Sequence, residues 1–316
     1  MKMKVCSLFS GIGGIDLGFQ QAGFDIIWAN EFDKDAATTY RHNFGCEHLV
    51  EKDIRKIHSS EIPDFDVLVA GFPCQPFSIM GRKRGFDDPR GNLFFEIERI
   101  VKNKKPSIIF LENVANLLEH DDGKTFLTVY NALAPLGYSF KYLTMDAFEY
   151  GNVPQLRTRI FIIGFLDNEK CERFHFPDKI PLTTKLNDIL NRTIKHSNCY
   201  YYTEQDSIYK ELVGVVKDKN AVYRAFDSGV SKKAHYVCPT LMANMGTYPD
   251  RVPIILDDYG IRKITPYECL ALQGFPKEFR FPKIPMTSAY KQCGNSVVVP
   301  VIRRIAENIM RVMLCN

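Results

Sequence analysis

One of the nine cysteines is set apart by its surroundings. Cys74 lies in Gly71-Phe72-Pro73-Cys74-Gln75-Pro76-Phe77-Ser78, where a short apolar run has just ended and two prolines restrict the backbone. A thiol on such a loop is positioned, not merely buried. With an ordinary pKa of about 8.5 it is only a few per cent thiolate at neutral pH, yet it is strongly nucleophilic. The other cysteines read as small core residues. Glu112 closes a second apolar run and is followed by Asn113 and Val114. A carboxyl half-buried there would have a raised pKa and can hold or deliver a proton. Arg157 and Arg159 alternate at the start of another strand, so both point to one side, where they can hold a carbonyl oxygen or a phosphate. For these charged residues a structural ion pair is the plainer alternative.

A second group reads as a ligand cradle. Ser10-Gly11-Ile12-Gly13-Gly14 follows a strand and opens a helix. Glycines there let a ligand approach the backbone closely. A dinucleotide fingerprint needs glycine where Asp16 stands, and a phosphate loop needs lysine where Phe19 stands. The loop therefore suits a nucleoside without a polyphosphate, or is a tight strand-to-helix turn. Glu31 at the end of the second strand is placed to accept from ribose hydroxyls. Phe32 can stack on an adenine, and Asp53 can accept from its amino group. Singly, each acid also reads as a helix cap or a solvated turn residue. Residues 78–90 form a polar, glycine-punctuated loop in which Arg82, Lys83, Arg84 and Arg90 can meet phosphates. Gln292-Cys293-Gly294-Asn295-Ser296-Val297 reads as a turn that presents backbone and amide groups ahead of the last helix.

These residues need elements that bring them to one edge. Strands are expected near residues 5–9, 25–29, 66–71, 107–111, 138–146 and 160–165, with helices after 14, over 33–43 and over 93–102. Strands alternating with helices predict an α/β fold, a mainly parallel sheet covered on both faces. Ligands of such sheets bind beyond the carboxyl ends of the strands, where Gly11, Glu31, Asp53, Cys74 and Glu112 all fall. The pattern weakens over residues 168–255, which reads as a separate small irregular domain between a first segment, 1–167, and a returning segment, 256–316. In that last segment Thr265 and Pro266 are a good helix start, and a final helix is expected over 301–313.

The 316 residues are 45% hydrophobic and 25% charged, with formal net charge +4. That is an ordinary globular composition, and the charge permits an anionic partner without requiring one. The odd, scattered cysteines lack zinc-knuckle spacing and suit a reducing compartment. The apolar run near the start is too short for a signal peptide, and no run is long enough to span a bilayer. A cytoplasmic protein with no membrane association is the expectation.

In their order and spacing these segments resemble the bacterial cytosine-C5 DNA methyltransferases of restriction–modification systems. The resemblance rests on SLFSGIGGIDLGF from Ser7, NEFD from Asn30, GFPCQPFS from Gly71 and GNLFFE from Gly91, then ENV from Glu112, QLRTRIFIIGF from Gln155, ITPYECLALQGFP from Ile264 and QCGNSV from Gln292. It implies a Rossmann-like S-adenosylmethionine-dependent sheet with helices on both faces, plus a target-recognition domain over 168–255. The cofactor would be S-adenosylmethionine, leaving as S-adenosylhomocysteine, and no metal is required. Phe9, Gly11, Ile12, Gly13, Gly14 and Pro73 would line its pocket. Glu31 would hold the ribose, Phe32 would stack on the adenine, and Asp53 with Ile54 would read its edge. Leu93 would pack against it, and Asn295 and Ser296 would close it. Cys74 would be the nucleophile, Glu112 the acid at cytosine N3, Arg159 the ligand of O2, and Arg157 a support for the base or a phosphate.

The implied partner is double-stranded DNA, with the target base flipped out of the stack. Gln75, Ser78, Arg82, Arg84, Arg90 and Thr240 are the candidate DNA contacts. Arg224, Lys232, Lys233, Asn244 and Arg251 are further candidates in the recognition region. A monomer is implied, serving alongside a restriction endonuclease without a stable complex. The rival readings are a transfer RNA cytosine-5 methyltransferase, whose extra CFT signature the chain lacks, a non-catalytic nucleoside- or DNA-binding module, and an NAD-linked oxidoreductase, undercut by Asp16.

Overall fold

The apolar runs form strands in a seven-stranded sheet. They are β1 (Lys4–Leu8), β2 (Asp25–Glu31), β3 (Leu49–Glu51), β4 (Val67–Gly71), β5 (Ile108–Val114), β6 (Ser139–Asp146) and β7 (Thr158–Phe165), in the order β3-β2-β1-β4-β5-β7-β6. The computed structural model describes residues 2–72, 93–226, 229–234, 236–247 and 251–314. By their contacts these fall into two compact units. The first comprises Met1–Met145, Thr158–Asp178 and Ile302–Asn316, the second Asp146–Arg157 and Lys179–Val301.

In the first unit, β3, β2, β1, β4 and β5 pair in parallel, and β7 runs antiparallel to β5. Residues 67–70 of β4 are wholly buried, as expected of a strand covered on both faces. Helices α1 (Gly14–Gln21), α2 (Lys34–Phe44), α3 (Leu93–Lys104) and α4 (Lys124–Leu133) follow or separate the strands. Asp33 caps α2 by accepting from the backbone N–H groups of Asp35 and Ala36. One core cluster gathers Leu8, Leu68, Ala70, Phe72, Phe94, Ile97, Ile109 and Leu111.

The strand order decides where a ligand can bind. The chain leaves β1 for β2 on one side, while β4 lies on the other. The crevice beyond a point where strand order reverses is the usual ligand site of such sheets. It puts the loop after β1 next to the end of β4, with Leu8 registered against Ala70 and Gly71 against Glu112. The three-residue β3 is too short to show a periodicity in sequence.

The second unit is more ordered than the weak pattern predicts. It holds a four-stranded antiparallel sheet in the order β11-β10-β8-β9, from β8 (Val222–Phe226), β9 (Gly229–Ala234), β10 (Ile254–Leu256) and β11 (Ile261–Lys263). Two of these strands have only three residues, and β11 places a charged residue, Arg262, in the interior. Helix α5 (Tyr209–Val215) adds Leu212 to the core of Tyr223, Ala225, Ile254 and Ile261. Helix α6 (Pro266–Ala271) starts as expected, with Thr265 and Glu268 forming a reciprocal capping box. Helix α7 (Met286–Asn295) precedes α8 (Val299–Leu314), which extends to Leu314. Among the described residues no helix is long and apolar enough to cross a membrane.

Candidate active site

The loop after β1 turns by means of unusual backbone angles. Phe9, Gly11 and Gly13 all have positive φ, at 55°, 56° and 84°. At Phe9 this is a strained conformation, of a kind that clusters at ligand clamps. A Cβ on Gly13 would run into the ring of Phe44 at the end of α2, whereas a Cβ on Gly11 would meet nothing within 4 Å. One glycine is thus required by packing, and the other faces open space. Ile12 and Gly14 are buried beneath them.

Glu31 braces this loop from the end of β2. Its carboxylate accepts from the N–H of Gly11 at 2.7 Å, and from those of Phe32 and Asp33 at 2.7 Å each. Burial pushes its pKa up, and these backbone donors pull the other way. Phe32 is 72% exposed, a bare aromatic face beside the bound carboxylate. Asp53 differs from the expectation for a free acceptor. Its carboxylate pairs with Arg55 (Nη2 to Oδ2, 2.5 Å) and caps a 3₁₀ turn, and the Arg55 hydrogen bonds hold its pKa below the usual range. Ile54 is buried in the core, and Leu93 packs against that core at the start of α3.

On the other side of the switch point, Glu112 faces the end of β4. A Cβ on Gly71 would lie 3.4 Å from its Oε2, so glycine leaves room for this carboxylate. Arg159 on β7 brings its Nε to 3.1 Å from Glu112 Oε1, with both side chains mostly buried. Asn113 donates its amide N–H to the carbonyl of Phe72 at 3.0 Å and so fixes the backbone two residues before Cys74. That tie is invisible in sequence, because Asn113 is uncharged and its partner lies 41 residues away. Pro73, Cys74, Gln75, Ser78, Arg82, Arg84 and Arg90 lie outside the described residues.

The two arginines of the 155–159 segment have different partners. Arg157 precedes β7, so strand alternation does not govern it. Its buried guanidinium donates to the carbonyls of Leu241 (2.8 Å), Gly294 (3.0 Å) and Ser296. Gln155 adds a bond from its side-chain amide to the carbonyl of Leu272 (2.6 Å) and accepts from the N–H of Leu241. Thr240 donates its hydroxyl to the carbonyl of Leu156 and accepts from Arg224 through its own carbonyl, each at 2.5 Å. Gly294 and Asn295 end helix α7, with Ser296 as its C-cap, where sequence suggested a turn. Asn295 is exposed. The Ser296 hydroxyl is buried, and among the described residues it has no hydrogen-bond partner.

The family model for C-5 cytosine-specific DNA methylases matches residues 3–311. The chain belongs to this family. It is a DNA cytosine-5 methyltransferase. The chain is 48% identical over 315 residues to the type II methyltransferase M.Bsp6I of Bacillus sp. (strain RFL6), covering 99% of this chain and 100% of that one. It is 42% identical over 320 residues to M.SsoII of Shigella sonnei, covering 98% and 80% respectively. A solved structure of a DNMT2 mutant from Spodoptera frugiperda is similar in fold, with TM-score 0.76 and 21% identity over 98% of this chain and 100% of that one. A C-5 cytosine-specific methylase of this fold uses S-adenosylmethionine, and the residues present fit it. Gly11 leaves the cradle open and Phe32 offers a bare ring beside it. Among the described residues no three His, Cys, Asp or Glu side chains gather as a metal site.

Proposed function

We propose that the protein methylates one cytosine within a short specific duplex DNA sequence through covalent attack by Cys74, and that it protects host DNA in a restriction–modification system. The observation that carries this reading is the Glu112–Arg159 pair facing Gly71, three residues before the cysteine. The type II names of the relatives support the biological role.

The Cys74 thiolate adds to C6 of a cytosine flipped out of the duplex. Glu112 holds a proton at N3, so the ring electrons move toward C5, and Arg159 faces O2, where negative charge gathers. Bound S-adenosylmethionine supplies an electrophilic methyl group for C5. Loss of the C5 proton then expels Cys74 and restores the aromatic ring. We assign Phe9, Gly11, Ile12, Gly13, Gly14, Glu31, Phe32, Ile54, Pro73 and Leu93 to the cofactor pocket, and carry Asn295 and Ser296 as cofactor residues on the family resemblance alone. Asp53 joins them only if Arg55 lets it go.

Arg157 serves the site through the backbone, by holding the 241 and 294–296 carbonyls. Gln75, Ser78, Arg82, Arg84, Arg90 and Thr240 contact DNA, and residues 168–255 recognise the sequence. The enzyme works as a cytoplasmic monomer and needs no stable complex with a nuclease.

The test is incubation of the protein and of Cys74→Ala with unmethylated plasmid, transfer RNA and labelled S-adenosylmethionine, followed by nucleoside mass spectrometry and bisulfite mapping. We expect 5-methylcytosine at one short DNA sequence, and none with Cys74→Ala. Label in transfer RNA alone would overturn the DNA reading. Equal methylation by the Cys74 variant would overturn the mechanism.

A further inference from the structure

Asp16 is fully buried on the first turn of α1 and takes no part in the chemistry above. Its carboxylate nevertheless collects hydrogen bonds from around the cofactor loop. Ser7 Oγ on β1 donates to Oδ1 at 2.5 Å, and Tyr40 OH on α2 donates to Oδ2 at 2.6 Å. Behind these stand two more groups. Ser10 Oγ donates to Ser7 Oγ at 3.0 Å, and His48 Nε2 lies 3.1 Å from Tyr40 OH. The Tyr40 proton is committed to Asp16, so His48 must supply the proton of the outer bond. Every donor in the chain therefore points toward one carboxylate.

The arrangement encloses the strained residue. Ser7 and Ser10 flank Phe9, whose φ is 55°, and Ser10 Oγ also lies 3.3 Å from the carbonyl oxygen of Ser7. The Ser7–Ser10 pair closes the turn around Phe9, and Asp16 holds Ser7. On the far side, Tyr40 stacks near Phe44 at 4.7 Å, and Phe44 is the ring against which Gly13 packs. The one carboxylate thus ties together β1, the loop, α1 and the helix wall behind the loop. Strained backbone persists only where its surroundings over-determine it.

We propose that Asp16 is a positioning residue for S-adenosylmethionine, setting the backbone of residues 9–13 through Ser7 and Tyr40. This rests on the cofactor reading of the loop given above. A buried acid held, among the described residues, by hydroxyls and its own N–H is a costly way to fill a core. Burial raises its pKa to about 6 against those hydrogen bonds. A position whose only task was packing would be served better by a neutral side chain. Asp16 is therefore expected to trade stability for loop geometry.

The experiment measures S-adenosylhomocysteine binding by calorimetry without DNA, for the wild type, Asp16→Asn and Tyr40→Phe, together with steady-state kinetics and melting temperatures. We expect Kd for S-adenosylhomocysteine and KM for S-adenosylmethionine to rise about tenfold in both variants, as befits loss of a bond to a charged group. The kcat and the KM for DNA should stay within about twofold. Asp16→Asn should melt no lower than the wild type. Cofactor Kd unchanged in both variants would overturn the proposal, as would equal losses in cofactor and DNA parameters with a lowered melting temperature. A wild-type protein that bound no S-adenosylhomocysteine would overturn the cofactor reading itself, and is distinguishable because no variant comparison would then be needed.

Discussion

Arg159 Nε lies 3.1 Å from Glu112 Oε1, across the antiparallel pair β5 and β7. The strand register opposes Arg159 to Val114 and Glu112 to Phe161, so the two meet diagonally, within reach of long side chains. Both are mostly buried, so screening by water is weak and the pair is geometrically fixed. A fixed acid and a fixed cation side by side are suited to hold a ring nitrogen that needs a proton and the adjacent exocyclic oxygen that accumulates negative charge. Glu112→Gln should lower kcat by about 10²–10⁴-fold, with S-adenosylhomocysteine affinity unchanged. Single-turnover kinetics with saturating cofactor would measure this, and a fall of less than about threefold would remove Glu112 from the chemistry.

Phe32 is 72% exposed, so its ring contributes little to the fold. Phe32→Ala should leave the melting temperature within about 1 °C, since surface substitutions away from special features rarely change stability. Its effect should fall on cofactor Kd. An aromatic stacking pair is worth about 0.5–1.5 kcal/mol beyond burial, or roughly 2- to 13-fold in affinity. Calorimetry with S-adenosylhomocysteine reads this directly.

Gly11 and Gly13 look alike in sequence but separate on substitution. At Gly13 a methyl group meets the Phe44 ring and an unfavourable φ of 84° together. Gly13→Ala should cost about 3 kcal/mol or more, as overpacking and backbone strain combine. Gly11→Ala meets no neighbour and carries only the backbone cost of its φ of 56°, about 1–2 kcal/mol. Its methyl would intrude on the open cradle, so its loss of cofactor affinity should exceed what its stability predicts. Chemical denaturation beside calorimetry tests the contrast.

The sheet edge was legible in sequence because strand ends followed by glycine or an acid are local patterns. Glu31 ends β2 and Phe32 follows it where their spacing put them, whereas β5 runs past Glu112 to Val114. What was not legible depended on partners distant in the chain. Nothing local reveals that Arg157 spends its guanidinium on carbonyls more than eighty residues away, or that Asn113 holds Phe72. The pairing of Asp53 with Arg55 went unread for the opposite reason, since Arg55 stands only two residues on. The 294–296 segment read as a loop because glycine breaks a helical pattern. There, absence of a Cβ lets Gly294 lie against the backbone of Met242 while α7 continues.

Asp16 gives a pH dependence whose sign follows from its burial. Its pKa is raised from 3.8 to about 6 in the fold, so between those values the native state binds a proton that the unfolded chain does not. Stability from this group therefore rises as pH falls through about 6 toward 3.8, and at neutral pH the ionised carboxylate costs on the order of 3 kcal/mol. Burial lowers the pKa of nearby His48, which acts in the opposite sense, but His48 is present in both wild type and Asp16→Asn. The stability advantage of Asp16→Asn should thus be largest at pH 7–8 and shrink toward pH 5, as read by urea midpoints across that range. A difference that stayed constant with pH would mean that Asp16 does not titrate there.

Arg262 tests the second unit alone. Its side chain is wholly buried, donating to Asp257 (2.7 Å) and bidentately to Glu268 (2.8 Å each), with further bonds to the carbonyls of Lys263 and Asn191. Tyr201 donates to the same Asp257, and Glu268 also completes the Thr265 capping box. Two carboxylates therefore share one guanidinium, and neither has water to fall back on. Removing one partner of a buried ion pair typically costs about 3–5 kcal/mol, because the remaining charge is stranded. Arg262→Met should lose at least that much, since it strands two. The loss should shrink when Asp257→Asn and Glu268→Gln are added, and a double- or triple-mutant series in urea would show that recovery. Strict additivity of the three changes would mean that the carboxylates draw their stabilisation from elsewhere.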